Sequence, residues 1–113
     1  MKLWIDDVRP APEGYDWAKS VYEAREIIKF CENPNLFPSY CPPGRYHSPI
    51  EIELIDIDHD AGDFASDGGD YIKLLDWLEE TGRNYPIRIH SANPVGVQNM
   101  RRIIERNGWK EVF

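Results

Sequence analysis

Apolar residues come in short runs along the chain, and their spacing alternates between that of a buried strand and that of an amphipathic helix. Continuous or alternating runs predict strands at 1–5, 15–19, 50–57, 85–90 and 109–113. Runs with apolar residues three or four apart predict helices at 21–31, at about 70–81 and from Asn93 to Asn107. This alternation is typical of an α/β fold in three layers, with a mostly parallel sheet of about five strands and flanking helices.

Two of the predicted helices begin at recognisable caps. Ser20 and Glu23 fit a capping box, in which the hydroxyl and the carboxylate close each other's free backbone N–H groups. Asn93 followed by Pro94 fits an N-cap with proline at the first helical position.

The segment 32–49 interrupts this pattern, because it contains five of the nine prolines. We interpret the chain as a single domain over 1–113 with a Pro-rich insertion at about 32–49. The aromatic residues of that insertion make it a candidate surface for a protein partner: Phe37, Tyr40 and Tyr46.

The formal net charge of −7 argues against binding to duplex nucleic acid or to an anionic membrane surface, but permits a small phosphorylated ligand. We expect a cytoplasmic protein, because the chain shows neither an apolar run of membrane-spanning length nor a signal peptide. Cys31 and Cys41 are not spaced as a CxxC pair, so we expect reduced thiols, with a disulfide or a metal site including His47 as alternatives.

Polar clusters follow three of the predicted strands: Asp6-Asp7, Asp58-His59-Asp60 and His90-Ser91-Ala92-Asn93. In parallel sheets the carboxyl ends of the strands share one edge, where ligands bind, so these clusters are expected to converge there. Three carboxylates in a small space are unfavourable unless a cation or protons neutralise them. Asp6, Asp7 and Asp58 are therefore candidate ligands of Mg²⁺ or another divalent cation, the alternative being acids that cap helices and turns.

His59 and His90 are candidate catalytic residues, because two imidazoles facing each other serve as general acid and base. Asp60 follows His59 in the loop and is expected to support it, where both can meet His90. Asp58 is also a candidate nucleophile, since carboxylates accept phosphoryl groups. Asp56 lies within the strand and is expected to be structural.

Phosphate binding is expected at the start of the last helix, whose N-terminal N–H groups attract anions. Ser91 and Asn93 precede that helix and add a hydroxyl and an amide, and Arg9 offers a cation that could instead pair with Asp7 or Asp60. The sequences typical of P-loops, dinucleotide-binding folds and hydrolase elbows do not occur.

Three segments together resemble the cyclic-phosphate processing receiver domain family: LWIDDVRPAPEGY, DIDHDAG and HSANPVG. The resemblance covers nearly all of the chain outside 32–49. It implies a receiver-like fold and a role in handling cyclic phosphates or phosphate-ended nucleotides.

The resemblance also implies roles for single positions. Asp6 and Asp7 match the acid pair that holds the metal in receivers, Asp58 the phosphorylated aspartate, and Ser91 the hydroxyl that contacts the phosphoryl group. Four residues match the additional residues of the narrower family: His59, Asp60, His90 and Asn93.

Two features depart from ordinary receivers. Residues 8–14 are too few for the usual helix between the first two strands, and only Lys110 lies near the end of the final strand. Both favour a phosphate pocket over a phosphorelay. The sequence thus predicts a phosphoesterase acting on cyclic-phosphate or phosphate-ended nucleotides, the alternative being a non-catalytic receiver-like module that binds a phosphorylated ligand or a protein.

Overall fold

The predicted α/β fold is confirmed by a computed structural model, which describes residues 1–37 and 47–113. The strands are β1 Lys2–Ile5, β2 Tyr15–Ala18, β3 Leu54–Ile57 and β4 Ile87–Ile89, and the helices are α1 Val21–Glu32, α2 Ile72–Glu80 and α3 Pro94–Asn107. Two short 3₁₀ helices cover Pro34–Leu36 and Gly62–Ser66.

All strand pairs are parallel, in the order β2-β1-β3-β4. The segment predicted as a fifth strand adds a single parallel bridge, from Glu111 to Ile87, so the described part of the sheet has four strands. This order matches the doubly wound type 2-1-3-4-5, in which ligands bind where the order reverses, between β1 and β3.

Strand β3 is shorter than the predicted strand 50–57. Its first residue, Leu54, pairs with Lys2, so the residues before it extend beyond the start of β1 and lack a neighbouring strand there. The N–H of Ile50 instead donates to the Cys31 carbonyl oxygen at 2.7 Å, and the N–H of Glu53 donates to the Met1 carbonyl oxygen at 2.8 Å.

The three helices pack in a row against one face of the sheet, with α2 in contact with both α1 and α3. This follows from the right-handed crossovers, because β2→β3 and β3→β4 both step in the same direction across the sheet. Six strand side chains on that face are completely buried: Leu3, Ile5, Ala18, Ile55, Ile57 and Ile87.

The opposite face has a loop where helices were expected. The connection from β1 to β2 steps the other way across the sheet but contains only residues 6–14, too few for a helix. Two indole N–H groups hold this loop against the sheet: Trp4 Nε1 donates to the Arg9 carbonyl oxygen at 2.9 Å, and Trp17 Nε1 donates to the Asp6 carbonyl oxygen at 2.8 Å. In the described ranges the third layer is therefore a loop at the carboxyl end of the strands.

Both predicted caps are present. The N–H of Glu23 donates to Ser20 Oγ at 3.0 Å, while the Glu23 carboxylate accepts from the Lys19 N–H at 3.1 Å, one residue earlier than expected. Asn93 Oδ1 accepts from the Gly96 N–H at 3.0 Å, with Pro94 beginning α3.

Part of the Pro-rich insertion falls outside the described residues, including Tyr40, Cys41 and Tyr46. Phe37 is described, and its ring meets that of Phe30 edge to face, with centroids 5.7 Å apart. Cys31 is buried, and this burial raises the pKa of its thiol. No helix in residues 1–37 and 47–113 combines the length and apolar content needed to cross a bilayer.

Candidate active site at the carboxyl edge of the sheet

Asp6, Asp7 and Asp58 converge at the switch point between β1 and β3. One carboxylate oxygen from each lies within 4.8 Å of the others. Strand geometry explains the convergence, because Ile5 and Ile57 are paired and the acids follow these two strand ends directly. Three carboxylate oxygens at this spacing suit a hard divalent cation such as Mg²⁺, so the donor set fits the metal that the sequence predicted.

Asp6 is the buried member of this acid triad, with 0% of its surface exposed. Its Oδ1 accepts from the N–H groups of Val8 at 3.0 Å and Arg9 at 2.9 Å, and its Oδ2 lies 2.9 Å from His90 Nε2. Burial by itself raises the pKa of Asp6, but these donors outweigh it and the pKa is lowered. Asp6 is therefore held ionised and fixed in place.

Asp7 is in the opposite situation. Burial, and then the negative charges of Asp6 and Asp58, raise its pKa above the ordinary value. Its Oδ2 lies against the backbone of Gly62, where a Cβ would stand only 2.3 Å away, so residue 62 has no room for a side chain. A cation between these carboxylates would relieve the repulsion that Asp7 experiences.

His90 is held on three sides. Its Nδ1 lies 2.5 Å from Asp56 Oδ1 and its Nε2 lies 2.9 Å from Asp6 Oδ2. The indole of Trp4 stacks on the ring, with centroids 3.8 Å apart and planes 6° apart. Both ring nitrogens are thus committed to carboxylates that are almost completely buried, Asp6 at 0% and Asp56 at 1% exposed.

His59 has a different set of neighbours. Its Nδ1 lies 2.8 Å from Asp60 Oδ1, and since a carboxylate only accepts, this contact places a proton on Nδ1. Its Nε2 has no partner among residues 1–37 and 47–113, and 15% of the side chain is exposed. A Cβ at Gly96 would stand 2.4 Å from His59 Cγ, so the ring rests directly on the first turn of α3.

The two histidines therefore occupy different places at the same edge. In the described part of the chain, His59 interacts with Asp60 and Asn93, whereas His90 interacts with Asp6 and Asp56. Of the two, His59 has a ring nitrogen free for a ligand.

The loop entering α3 offers unpaired backbone donors. Gly96 and Val97 donate to Asn93, and the N–H of Asn93 donates to Ser91 Oγ at 3.2 Å. Within the described ranges, the N–H groups of Ser91, Ala92 and Val95 have no acceptor. Two of these donors lie in the loop before α3 and one in its first turn, and together they present the N–H groups that an anion needs.

Arg9 lies on the loop of residues 6–14 and is anchored through its backbone, while its side chain is exposed. Its guanidinium forms no ion pair with Asp7 or Asp60 in the described residues, the two alternatives that the sequence left open. Lys110, by contrast, lies at the other end of the sheet, where its carbonyl oxygen accepts from the N–H of Ile87, the first residue of β4.

Four residues at this edge were not assigned to the site from the sequence: Trp4, Asp56, Tyr71 and Gly96. The alternation in IDID does place Asp56 and Asp58 on the same face, which is the signal that would have identified Asp56. Tyr71 is completely buried, and burial followed by the charges of Asp7, Asp6, Asp58 and Asp70 raises its pKa, so its hydroxyl stays neutral and donates to the Lys19 carbonyl oxygen at 2.7 Å.

A parallel sheet ordered 2-1-3-4 with an acid triad at its switch point defines a receiver-like α/β domain. The chain belongs to the cyclic-phosphate processing receiver domain family, whose sequence model matches residues 1–106 of 113. The corresponding comparisons with curated proteins and with solved structures gave no match.

Proposed function

We propose that this protein hydrolyses a phosphoester, with a 2′,3′-cyclic phosphate or another phosphate-ended nucleotide as substrate. The observation that carries the proposal is the position of His59, whose Nδ1 lies 2.8 Å from Asp60 Oδ1 and whose backbone N–H donates to Asp58 Oδ1 of the acid triad at 2.8 Å, while its Nε2 has no partner in the described residues. A carboxylate that orients an imidazole and fixes its tautomer is a recurring arrangement in enzymes that activate water.

In this reaction water adds across one phosphorus–oxygen bond. His59 Nε2 takes a proton from the attacking water, and the leaving oxygen, on the opposite side of the phosphorus, takes a proton from solvent. A cyclic phosphate then gives a phosphomonoester with a free hydroxyl, and a terminal phosphomonoester gives inorganic phosphate with a free hydroxyl. The orientation of the ring depends on Asp60 and on the absence of a side chain at Gly96.

The phosphate is proposed to bind between Arg9 and the loop before α3. The backbone N–H groups of Ser91, Ala92 and Val95 are unpaired within the described residues, and the Ser91 hydroxyl and the Asn93 amide lie in the same loop. Backbone and guanidinium donors stabilise the charge that develops on phosphoryl oxygens.

Asp6, Asp7 and Asp58 are proposed to hold a divalent cation. Such an ion supplies positive charge beside the phosphoryl group and lowers the barrier to attack. Burial, and then repulsion from Asp6 and Asp58, raise the pKa of Asp7, and a cation would remove the repulsive part.

His90 is proposed to position Asp6 rather than to transfer protons, although the sequence placed it among the catalytic candidates. Both of its nitrogens face buried carboxylates, and Trp4 covers one side of its ring. The same observation favours the second candidate, a non-catalytic module, because a site with one free histidine has lost the second proton carrier.

A screen of cyclic and linear nucleotide phosphates, with Mg²⁺ or with a chelator, tests the proposal. We expect turnover of a cyclic phosphate that requires the divalent cation. Binding without turnover would favour the non-catalytic module, and the lack of both under every condition would contradict the proposal.

A further inference from the structure

The sheet face opposite the helices, which we call the open face, carries a set of aromatic side chains. Alternation along the strands places seven side chains on the open face, three of them aromatic: Lys2, Trp4, Tyr15, Trp17, Leu54, Asp56 and Arg88. No helix packs on this face in residues 1–37 and 47–113, and Trp4, Tyr15 and Trp17 are each partly exposed.

These aromatic residues form one connected patch. Trp4 and Trp17 occupy paired positions on β1 and β2, and the ring of Tyr15 meets that of Trp4 edge to face with centroids 5.9 Å apart. The indole N–H groups of both tryptophans are bound to the loop of residues 6–14, which orients the rings. Fixed aromatic surfaces on a sheet face that only this loop partly covers in the described residues are suited to stacking with nucleobases.

The charge of the open face is opposite to that of the chain as a whole. The net charge is −7, yet the exposed charged side chains on this face of β1–β4 are the cations Lys2 and Arg88. Asp56 is buried, and its Oδ2 lies 3.7 Å from Arg88 Nη1. Lys2 Nζ lies 5.6 Å from the centroid of the Tyr15 ring, and Lys19 Nζ lies 4.5 Å from that of the Trp17 ring. These ammonium groups lie over the rings, so the open face combines aromatic surfaces with positive charge. A strand of nucleotides matches this combination, because its bases stack and its phosphates are negative.

The open face is continuous with the candidate active site. Trp4 stacks on His90, and His90 contacts Asp6 of the acid triad. A chain of nucleotides lying on this face would therefore bring its end to the carboxyl edge of the sheet. Because a 2′,3′-cyclic phosphate requires a ribose, that chain would be RNA.

We propose that the open face binds the bases of a single-stranded RNA whose cyclic-phosphate end lies at the carboxyl edge of the sheet. The proposal rests on the proposed function and narrows its substrate class from nucleotides to RNA ends. Duplex RNA is not the occupant, because paired bases cannot stack on the rings.

The test compares two affinities measured by fluorescence anisotropy. One is that of a single-stranded hexaribonucleotide ending in a 2′,3′-cyclic phosphate, and the other is that of the cyclic mononucleotide. We expect the hexamer to bind at least tenfold more tightly, with an affinity that falls as salt rises. Tyr15→Ala and Lys2→Glu should each remove most of this advantage. Two matched substitutions on the helical side, Tyr22→Ala and Lys73→Glu, should preserve it.

The outcomes separate this proposal from the proposed function. If the cyclic mononucleotide is hydrolysed but the hexamer binds no more tightly than it does, the RNA-binding role of the open face is wrong and the proposed hydrolase activity stands. Tight binding of the hexamer without hydrolysis would support the face and contradict the hydrolase. Self-association that Tyr15→Ala abolishes, with no effect of RNA, would show that a second copy of the chain occupies the face and would overturn the proposal.

Discussion

His90 Nδ1 lies 2.5 Å from Asp56 Oδ1, and this contact joins the end of β4 to the middle of β3. The other ring nitrogen reaches Asp6, so one imidazole bridges two carboxylates that are almost fully buried. Such carboxylates are costly to bury without a partner, which makes His90 part of the framework that fixes Asp6.

Replacing His90 should therefore destabilise the fold. We expect His90→Ala to lower the free energy of unfolding by about 2–3 kcal/mol, because Asp6 then keeps only its backbone donors and Asp56 keeps only Arg88 Nη1 at 3.7 Å. His59→Ala, which leaves no carboxylate buried without a partner, should cost about 1 kcal/mol. Urea unfolding of the two variants beside the wild type measures the difference, and equal losses would contradict the role assigned to His90.

Gly96→Ala should displace the His59 ring without unfolding the protein. The added Cβ would stand 2.4 Å from His59 Cγ, whereas the backbone at residue 96 is ordinary helix that alanine favours. We expect a shift of the His59 imidazole signals in NMR spectra and a loss of turnover of at least tenfold. Gln98→Ala, two residues later on α3 and exposed, is the matched control. Unchanged His59 signals in Gly96→Ala would refute the contact.

Asp7→Asn should raise the melting temperature of the metal-free protein at neutral pH. The folded state raises the pKa of Asp7, so its ionisation costs stability once the pH exceeds the unfolded value of about 3.9. The gain should therefore vanish below that pH, where the carboxyl is protonated in both states. The same variant should lose the stabilisation that Mg²⁺ gives the wild type, because a ligand is missing. Asp63→Asn, exposed in the 3₁₀ helix Gly62–Ser66, should behave as the wild type in all three measurements.

Ionised Glu32 should stabilise the fold at neutral pH, whereas ionised Asp7 destabilises it. Burial raises its pKa, but the hydrogen bonds from Arg83 and Tyr85 outweigh this and lower it. A lowered pKa gives stability that is complete above the unfolded value of about 4.3 and is lost as the pH falls through the folded value. The unfolding free energies of wild type and Glu32→Gln should therefore differ at pH 7 and converge toward pH 3. A constant difference across that range would contradict the ion pair.

The sequence was sufficient to predict that the polar clusters after β1, β3 and β4 share one edge. Strand periodicity and the parallel arrangement bring Asp6, Asp7 and Asp58 together without any knowledge of side-chain packing. Asn93 and Pro94 likewise predict the start of α3, because capping depends on local geometry alone.

The different surroundings of His59 and His90 were not predictable from the sequence. They depend on the register that pairs Trp4 with Asp56, which places a ring and a carboxylate beside His90. Neither the register nor the burial of Asp56 can be read from spacing within one strand. The open face was also missed, because it follows from a short β1–β2 connection that leaves one side of the sheet without a helix.

His59, held by Asp60, is proposed to activate water against a phosphoester at this edge. The most direct test is ³¹P NMR of a 2′,3′-cyclic nucleotide incubated with Mg²⁺ and the wild type, His59→Gln or His47→Gln. We predict conversion of the cyclic phosphate to a phosphomonoester by the wild type and by His47→Gln, with a loss of at least a hundredfold in His59→Gln. Conversion by His59→Gln at the wild-type rate would contradict the claim.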